Sequence, residues 1–146
     1  MNKQNEKNTV FLTHLSGFGG FLFPFGSVLI PLIIRETKKD ESKKIDTISK
    51  DVVNFNLSYL LYTFLLQIMI VPFFIGSFFS NIRYATHFDN MKFHFNSDSN
   101  HFFGFVSVVS IISILSIVKA VLIIKAAMKA NDNENFEYPY TIKFIN

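Results

Sequence analysis

No cysteine and no tryptophan occurs anywhere in the chain. The first absence excludes disulfides, thiolate metal sites and a cysteine nucleophile. The second removes a residue that commonly marks a membrane–water interface. Acidic residues are missing from three long stretches: all eleven Asp and Glu lie outside residues 10–34, 52–71 and 102–124. No paired intramembrane carboxylates, Ser-His-Asp order, phosphate loop or HExxH motif occurs, so the sequence offers no catalytic residues, no metal site and no cofactor, and an enzyme is not expected. The net charge is only +3, and the basic residues alternate with acids in Lys38-Lys39-Asp40-Glu41-Ser42-Lys43-Lys44. That pattern excludes a nucleic-acid footprint and fits the headgroups of an anionic leaflet.

What is there is apolar and arranged in blocks. Hydrophobic residues make up 49% of the chain, with 19 Phe, and they gather in three long runs rather than at helical or strand periods. Val10 to Ile34 contains 25 residues without a formal charge. About 20 apolar residues suffice for a helix to cross the hydrocarbon core, so a single integral membrane domain over 1–146 is expected. The fold class is all-α, with about three transmembrane helices. The basic N-terminus before an apolar run superficially suggests a signal peptide, but the run is too long for an h-region and has no small-x-small cleavage site, so it reads as retained.

The first block, 10–34, is broken. Gly17, Gly19 and Gly20 precede Phe23-Pro24-Phe25-Gly26, and Pro31 follows. A proline inside a helix removes a hydrogen bond and clashes with the turn before it. Non-helical backbone at membrane depth must be covered by protein or line a cavity. Two forms satisfy this: a broken helix that spans, which the block's length favours, and a re-entrant hairpin that returns to its side of entry. Residues 35–51 form a charged loop. Starting in it, Ser42 to Ser58 reads as helical, with Ile45, Ile48, Val52, Phe55 and Tyr59 on one face and Thr47, Asp51, Asn54 and Ser58 on another. This is either an amphipathic helix lying at the interface or an extension of the next span. The second span covers 52–71, bent or ended at Pro72 and extending to 82. An outer loop, 83–101, carries Met91 to Phe95 with strand-like alternation. The third span, 102–124, should run on as helix through Lys125 and Lys129 to Asn131-Asp132-Asn133. A tail, 125–146, ends the chain, its Phe136 to Asn146 segment expected to lie extended on the membrane.

Orientation follows from the basic residues. Arg35, Lys38, Lys39, Lys43, Lys44 and Lys50 sit in the charged loop and Lys125, Lys129 and Lys143 at the C-terminal end, against Arg83 and Lys92 in the outer loop. The charged loop and the C-terminus are therefore expected on the cytoplasmic side of a bacterial inner membrane. Lys3 and Lys7 would join them if the first block were re-entrant.

His14-Leu15-Ser16, Phe23-Pro24-Phe25-Gly26, Pro31-Leu32, Lys39-Asp40-Glu41-Ser42, Asn54-Phe55-Asn56-Leu57-Ser58, Lys129-Ala130-Asn131 and Tyr138-Pro139-Tyr140-Thr141-Ile142-Lys143-Phe144-Ile145 form one ordered set. Together they resemble a domain-of-unknown-function family of small bacterial membrane proteins, itself distantly similar to the Tic20-like subunits of the chloroplast inner-envelope translocon. The resemblance covers His14 to Ile145 and implies a helical membrane protein of three or four segments. It implies no reaction, and the outer loop is longer than the family leads one to expect.

Candidate residues carry structural readings beside functional ones. His14, Asn54, Ser58 and Gln67 could line a polar intramembrane path, but interhelical hydrogen bonds are the preferred reading. Gly104, Ser107, Ser110, Ser113, Ser116 and Ala120 form a small-residue stripe suited to helix packing. Lys38, Lys39, Lys43, Lys44, Lys119 and Lys125 suit lipid headgroups, with Lys119 snorkelling from inside the third span. His87, His94 and His101 share the outer loop with Asp89 and Asp98, but their seven-residue spacing matches no ligand signature. The expected partners are membrane lipids and other integral membrane proteins, as an accessory subunit of a larger complex connected with protein translocation. An oligomeric conduit for polypeptide or small solutes is the alternative.

Overall fold

The computed structural model describes residues 2–23, 25–83 and 99–145, and at positions 69, 71–83 and 99–105 the backbone alone. Pro24, the Met91–Phe95 alternation, His87, His94, Asp89 and Asp98 lie outside the described residues, as do the side chains of Pro72, His101 and Gly104. Among the described residues the regular structure is entirely helical: α1 (Lys3–Leu15), a 3-10 segment (Ser16–Phe21), α2 (Gly26–Lys38), α3 (Lys43–Arg83) and α4 (Ser99–Asn131). The chain divides into two compact units. One holds residues 1–61 and 116–146 and the other holds residues 62–115.

In the first unit, the first apolar block does not form a single broken span. α1 starts at Lys3, within the polar N-terminus, on an Asn2 cap whose side chain accepts from the Gln4 amide. The helix tightens to 3-10 geometry at Ser16, where the glycines of Ser16-Gly17-Phe18-Gly19-Gly20 weaken helical propensity. The chain turns through Phe25, which takes a left-handed φ of 62°. α2 then packs back along the 3-10 segment. The approach is so close that a Cβ on Gly26 would collide with the Gly19 carbonyl. Val10 of α1 and Ile34 of α2 consequently share one apolar cluster with Ile45 and Ala130. The block is a helical hairpin, and the reason is this glycine-to-glycine contact. Pro31 does not break it: α2 continues from Gly26 to Lys38 with Pro31 buried inside.

No separate interfacial helix precedes the second expected span. α3 begins at Lys43 and is continuous through position 72 to Arg83, because nothing between Ile45 and Val52 disrupts helical hydrogen bonding. Its apolar stripe fills the core: Val52 and Phe55 cluster with Ile123, Ala126 and Tyr138, and Ile48 packs against them. α4 contributes Ile123, Ala126, Ala127 and Ala130, the i, i+3, i+4, i+7 face of its last turns. It ends in a Schellman-type cap, with Asn133 left-handed at φ 60° and the Glu134 amide bonded to the Lys129 carbonyl at 2.9 Å.

Across the described residues, Val106–Asn131 is long and apolar enough to cross a membrane, and almost none of its apolar 18-residue stretch is buried within the chain. In the second unit, Phe64, Leu65, Ile68, Val109, Ile111 and Ile114 all point outward. Ser110 and Ser113 return their hydroxyls to the Val106 and Val109 carbonyls at 2.7 Å, which removes the polar cost of an apolar setting.

Candidate functional site

The polar stripe of α3 is used to hold the chain's own C-terminus. Asn54 is buried, and its amide replaces a strand neighbour. Its Oδ1 accepts from the Phe144 and Ile145 backbone amides at 3.0 and 2.8 Å, and its Nδ2 donates to the Ile145 carbonyl at 2.9 Å. One turn on, the Ser58 hydroxyl accepts from the Ile142 amide at 2.8 Å and donates to the Asn54 carbonyl at 2.7 Å. Buried backbone groups must find partners, and an extended tail with no strand beside it finds them on these two side chains. The tail therefore does not lie free on a membrane surface. It is clasped along α3.

Further back, Tyr138 anchors the tail in the core. Its ring stacks on Phe55 at 4.2 Å between centroids, and Phe136 meets it edge-on at 5.1 Å. Its hydroxyl lies 3.0 Å from His14 Nδ1. Burial pushes the Tyr138 phenol far up from its ordinary range, and the Asp51 charge adds to this. The phenol therefore keeps its proton and can donate it to the imidazole. Asp51 is itself raised by burial, with Lys143 of the tail opposing the shift. His14, Asn54 and Ser58 thus all find hydrogen-bond partners on the tail. Gln67 belongs to the other unit and is exposed.

The charged loop closes beside this site. Arg35 Nε donates to Asp46 at 2.7 Å and Lys50 pairs with the same carboxylate at 2.9 Å, tying the end of α2 to the start of α3. Two of the lysines expected on lipid headgroups are held within the chain, Lys38 by Glu41 at 2.6 Å and Lys39 by Glu36 at 2.7 Å. Lys43 and Lys44 open α3, and Lys125 is exposed on α4. The Lys119 ammonium sits 4.5 Å above the Tyr59 ring. The Tyr59 hydroxyl in turn meets Ser116 Oγ at 3.2 Å.

Of the small-residue stripe, Ser116 and Ala120 are half-buried, while Ser107, Ser110 and Ser113 are exposed in the single chain. Within the first unit, the alanines at 126, 127 and 130 are buried on α4. Their spacing was the available signal. The stacking of Tyr138 on Phe55 was the missed anchor, because a contact between a tail and a helix leaves no local periodicity. Among the described residues no group of three His, Asp or Glu is placed to hold a metal ion.

A family model described as the magnetosome magnetite crystal formation protein family matches residues 5–145. This is a family of small membrane proteins, as the residue pattern implied, and the match lends no support to a Tic20-like similarity. No curated protein and no solved structure matches the chain.

Proposed function

The chain belongs to the magnetosome magnetite crystal formation protein family, and we propose on that premise that it is a membrane accessory protein acting where a mineral grows against a bilayer. Its part is non-catalytic: it holds a compact polar face on one side of the membrane and passes helices through to the other. The observation that carries this reading is the cluster of Val10, Ile34, Ile45 and Ala130. It brings the middle of α1, the end of α2, the start of α3 and the end of α4 together. A chain that leaves this level as α3 and returns to it as α4 crosses twice, and the hairpin 10–34 dips in and comes back.

This arrangement puts Lys3, Lys7, Arg35, the loop lysines, Lys129 and Lys143 on one side, which under the positive-inside rule is the cytoplasmic one. Segment 83–101 then faces the opposite compartment, where crystal would form. The apolar tip of the hairpin supports insertion, with Phe21, Leu22 and Phe25 exposed at 75%, 80% and 66%. The same surface, together with the outward face of α4, supports membership of a larger membrane complex. A conduit would require several copies.

The test is mineral growth on vesicles. Iron oxide precipitated against vesicles carrying the purified protein should differ in crystal size distribution from that grown on empty vesicles, measured by electron microscopy. Identical distributions would overturn the reading. A partner that stays with the tagged protein in mild detergent would support the complex, and recovery of the protein alone would count against it.

A further inference from the structure

We propose that the hairpin and the two long helices enclose a binding site for a long-chain carboxylate, its acid group paired with Lys119 and held by Ser27, its chain leaving between Phe21 and Phe25 into the bilayer. The proposal rests on the membrane reading above. Within the first unit lies a cavity of about 350 Å³ with walls that include Phe18, Phe21, Phe25 and Leu60. That is at the small end of ligand pockets, which run from about 300 to 1,000 Å³. Gly17 and Gly20 also line it, and a Cβ at Gly20 would approach Ser27 Oγ to 3.3 Å.

Lys119 and Ser27 both face this apolar space. Lys119 lines the cavity. Its ammonium rests on the Tyr59 ring, and among the described residues no carboxylate pairs with it. A cation in an apolar setting is expensive unless an opposite charge meets it. Ser27 also lines the cavity and is 2% exposed. One cation and the few hydroxyls of Ser27, Tyr59 and Ser116 in a small cavity match a head with a single negative charge and few acceptor atoms. The aromatic exit matches an alkyl chain.

Depth argues against a soluble anion. Lys119 precedes Ala130, which sits at the level of the charged loop, by eleven positions, or roughly 16 Å of helix. A ligand reaching that level from water must cross apolar surface, whereas one already in the bilayer enters from the side. A glycerophospholipid headgroup would have to be drawn down with its glycerol and second chain.

The experiment uses full-length protein, extracted and delipidated in non-ionic detergent, and reads bound ligand by native mass spectrometry. Palmitate should bind at one per chain, and hexadecanol, which has the chain without the acid, should not. Acetate, the acid without the chain, should not compete. Lys119→Gln should weaken palmitate binding at least tenfold, Ser27→Ala by a few fold, and Ala120→Phe, which fills the cavity without touching the charge, should abolish it. Lys125→Gln, on the same helix outside the cavity, should leave it unchanged, with melting curves confirming that all four variants fold. Equal binding of hexadecanol, equal losses in Lys119→Gln and Lys125→Gln, or displacement by acetate would overturn the proposal. Stronger binding by phosphatidylglycerol than by palmitate would overturn it in favour of a phospholipid site. Release of the protein from membranes without detergent would overturn the membrane reading itself. A protein that needs detergent yet binds no palmitate overturns this inference alone.

Discussion

His14 and Tyr138, 124 positions apart, are joined by a 3.0 Å hydrogen bond between the imidazole Nδ1 and the phenol hydroxyl. The bond ties the first helix to the C-terminal tail, and the tail lies on α3 and against Ala126 of α4. One contact thus links the two ends of the chain through its core. Removing the hydroxyl leaves a buried imidazole nitrogen unpaired. Tyr138→Phe should therefore destabilise by about 1–3 kcal/mol, and Tyr138→Ala by more, because the Phe55 stack goes too. Thermal unfolding in detergent, followed by circular dichroism, gives the ranking. Equal stability of Tyr138→Phe and wild type would contradict it.

Asn54 makes three hydrogen bonds to the tail backbone, at 2.8, 2.9 and 3.0 Å, while Ser58 makes one good bond at 2.8 Å. Asn54→Ala should free residues 142–145 and Ser58→Ala should loosen them less. Backbone hydrogen exchange of that segment should rise sharply in the first variant and modestly in the second. The reverse order would show that the clasp is misassigned.

The two glycines that shape the hairpin are not equivalent to their neighbours. A Cβ at Gly26 meets the Gly19 carbonyl, which is backbone and cannot give way, whereas one at Gly20 meets Ser27 Oγ at 3.3 Å. Gly26→Ala should cost at least the ~1–3 kcal/mol of an overpacked core. Gly20→Ala should be nearly neutral. Comparable melting temperatures for the two would argue that the hairpin is looser than described.

Acid should weaken the closure between α2 and α3. The hydrogen bond from Lys50, and then Arg35, holds the Asp46 carboxyl below its ordinary value. A depressed folded pKa stabilises above the unfolded value, roughly 3.9 for Asp, and that contribution is lost as pH falls through the folded one. The Asp46 side chain is 26% exposed, and solvent screening keeps the effect small. Asp46→Asn should melt slightly below wild type at neutral pH, with the gap closing as pH falls below about 4. A gap that stays constant with pH would contradict the assignment.

The sequence made the helices legible where composition alone decides them. The apolar run at 102–124 and the Asn131-Asp132-Asn133 stop fix α4, and Ile45, Ile48, Val52 and Phe55 were readable as the buried face of α3. The break near Phe23–Gly26 was also readable. Its consequence was not, because whether a broken helix continues or returns depends on the Gly19–Gly26 contact, which sequence spacing does not encode. The site was half legible: His14, Asn54 and Ser58 stood out as polar groups in apolar surroundings. Their partners lie 84 to 124 positions away, and one sequence carries no sign of such pairings.

Chain direction at the membrane tests the account most directly, and the absence of native cysteine makes it simple to read. Single-cysteine variants Asn5→Cys, Asp40→Cys and Asp132→Cys, each in an exposed position, would be labelled with a membrane-impermeant maleimide from either side of sealed vesicles. The account predicts that all three react from the same, cytoplasmic, side. Labelling of Asn5→Cys from the side opposite to Asp40→Cys would mean that residues 10–34 cross the membrane, and would contradict it.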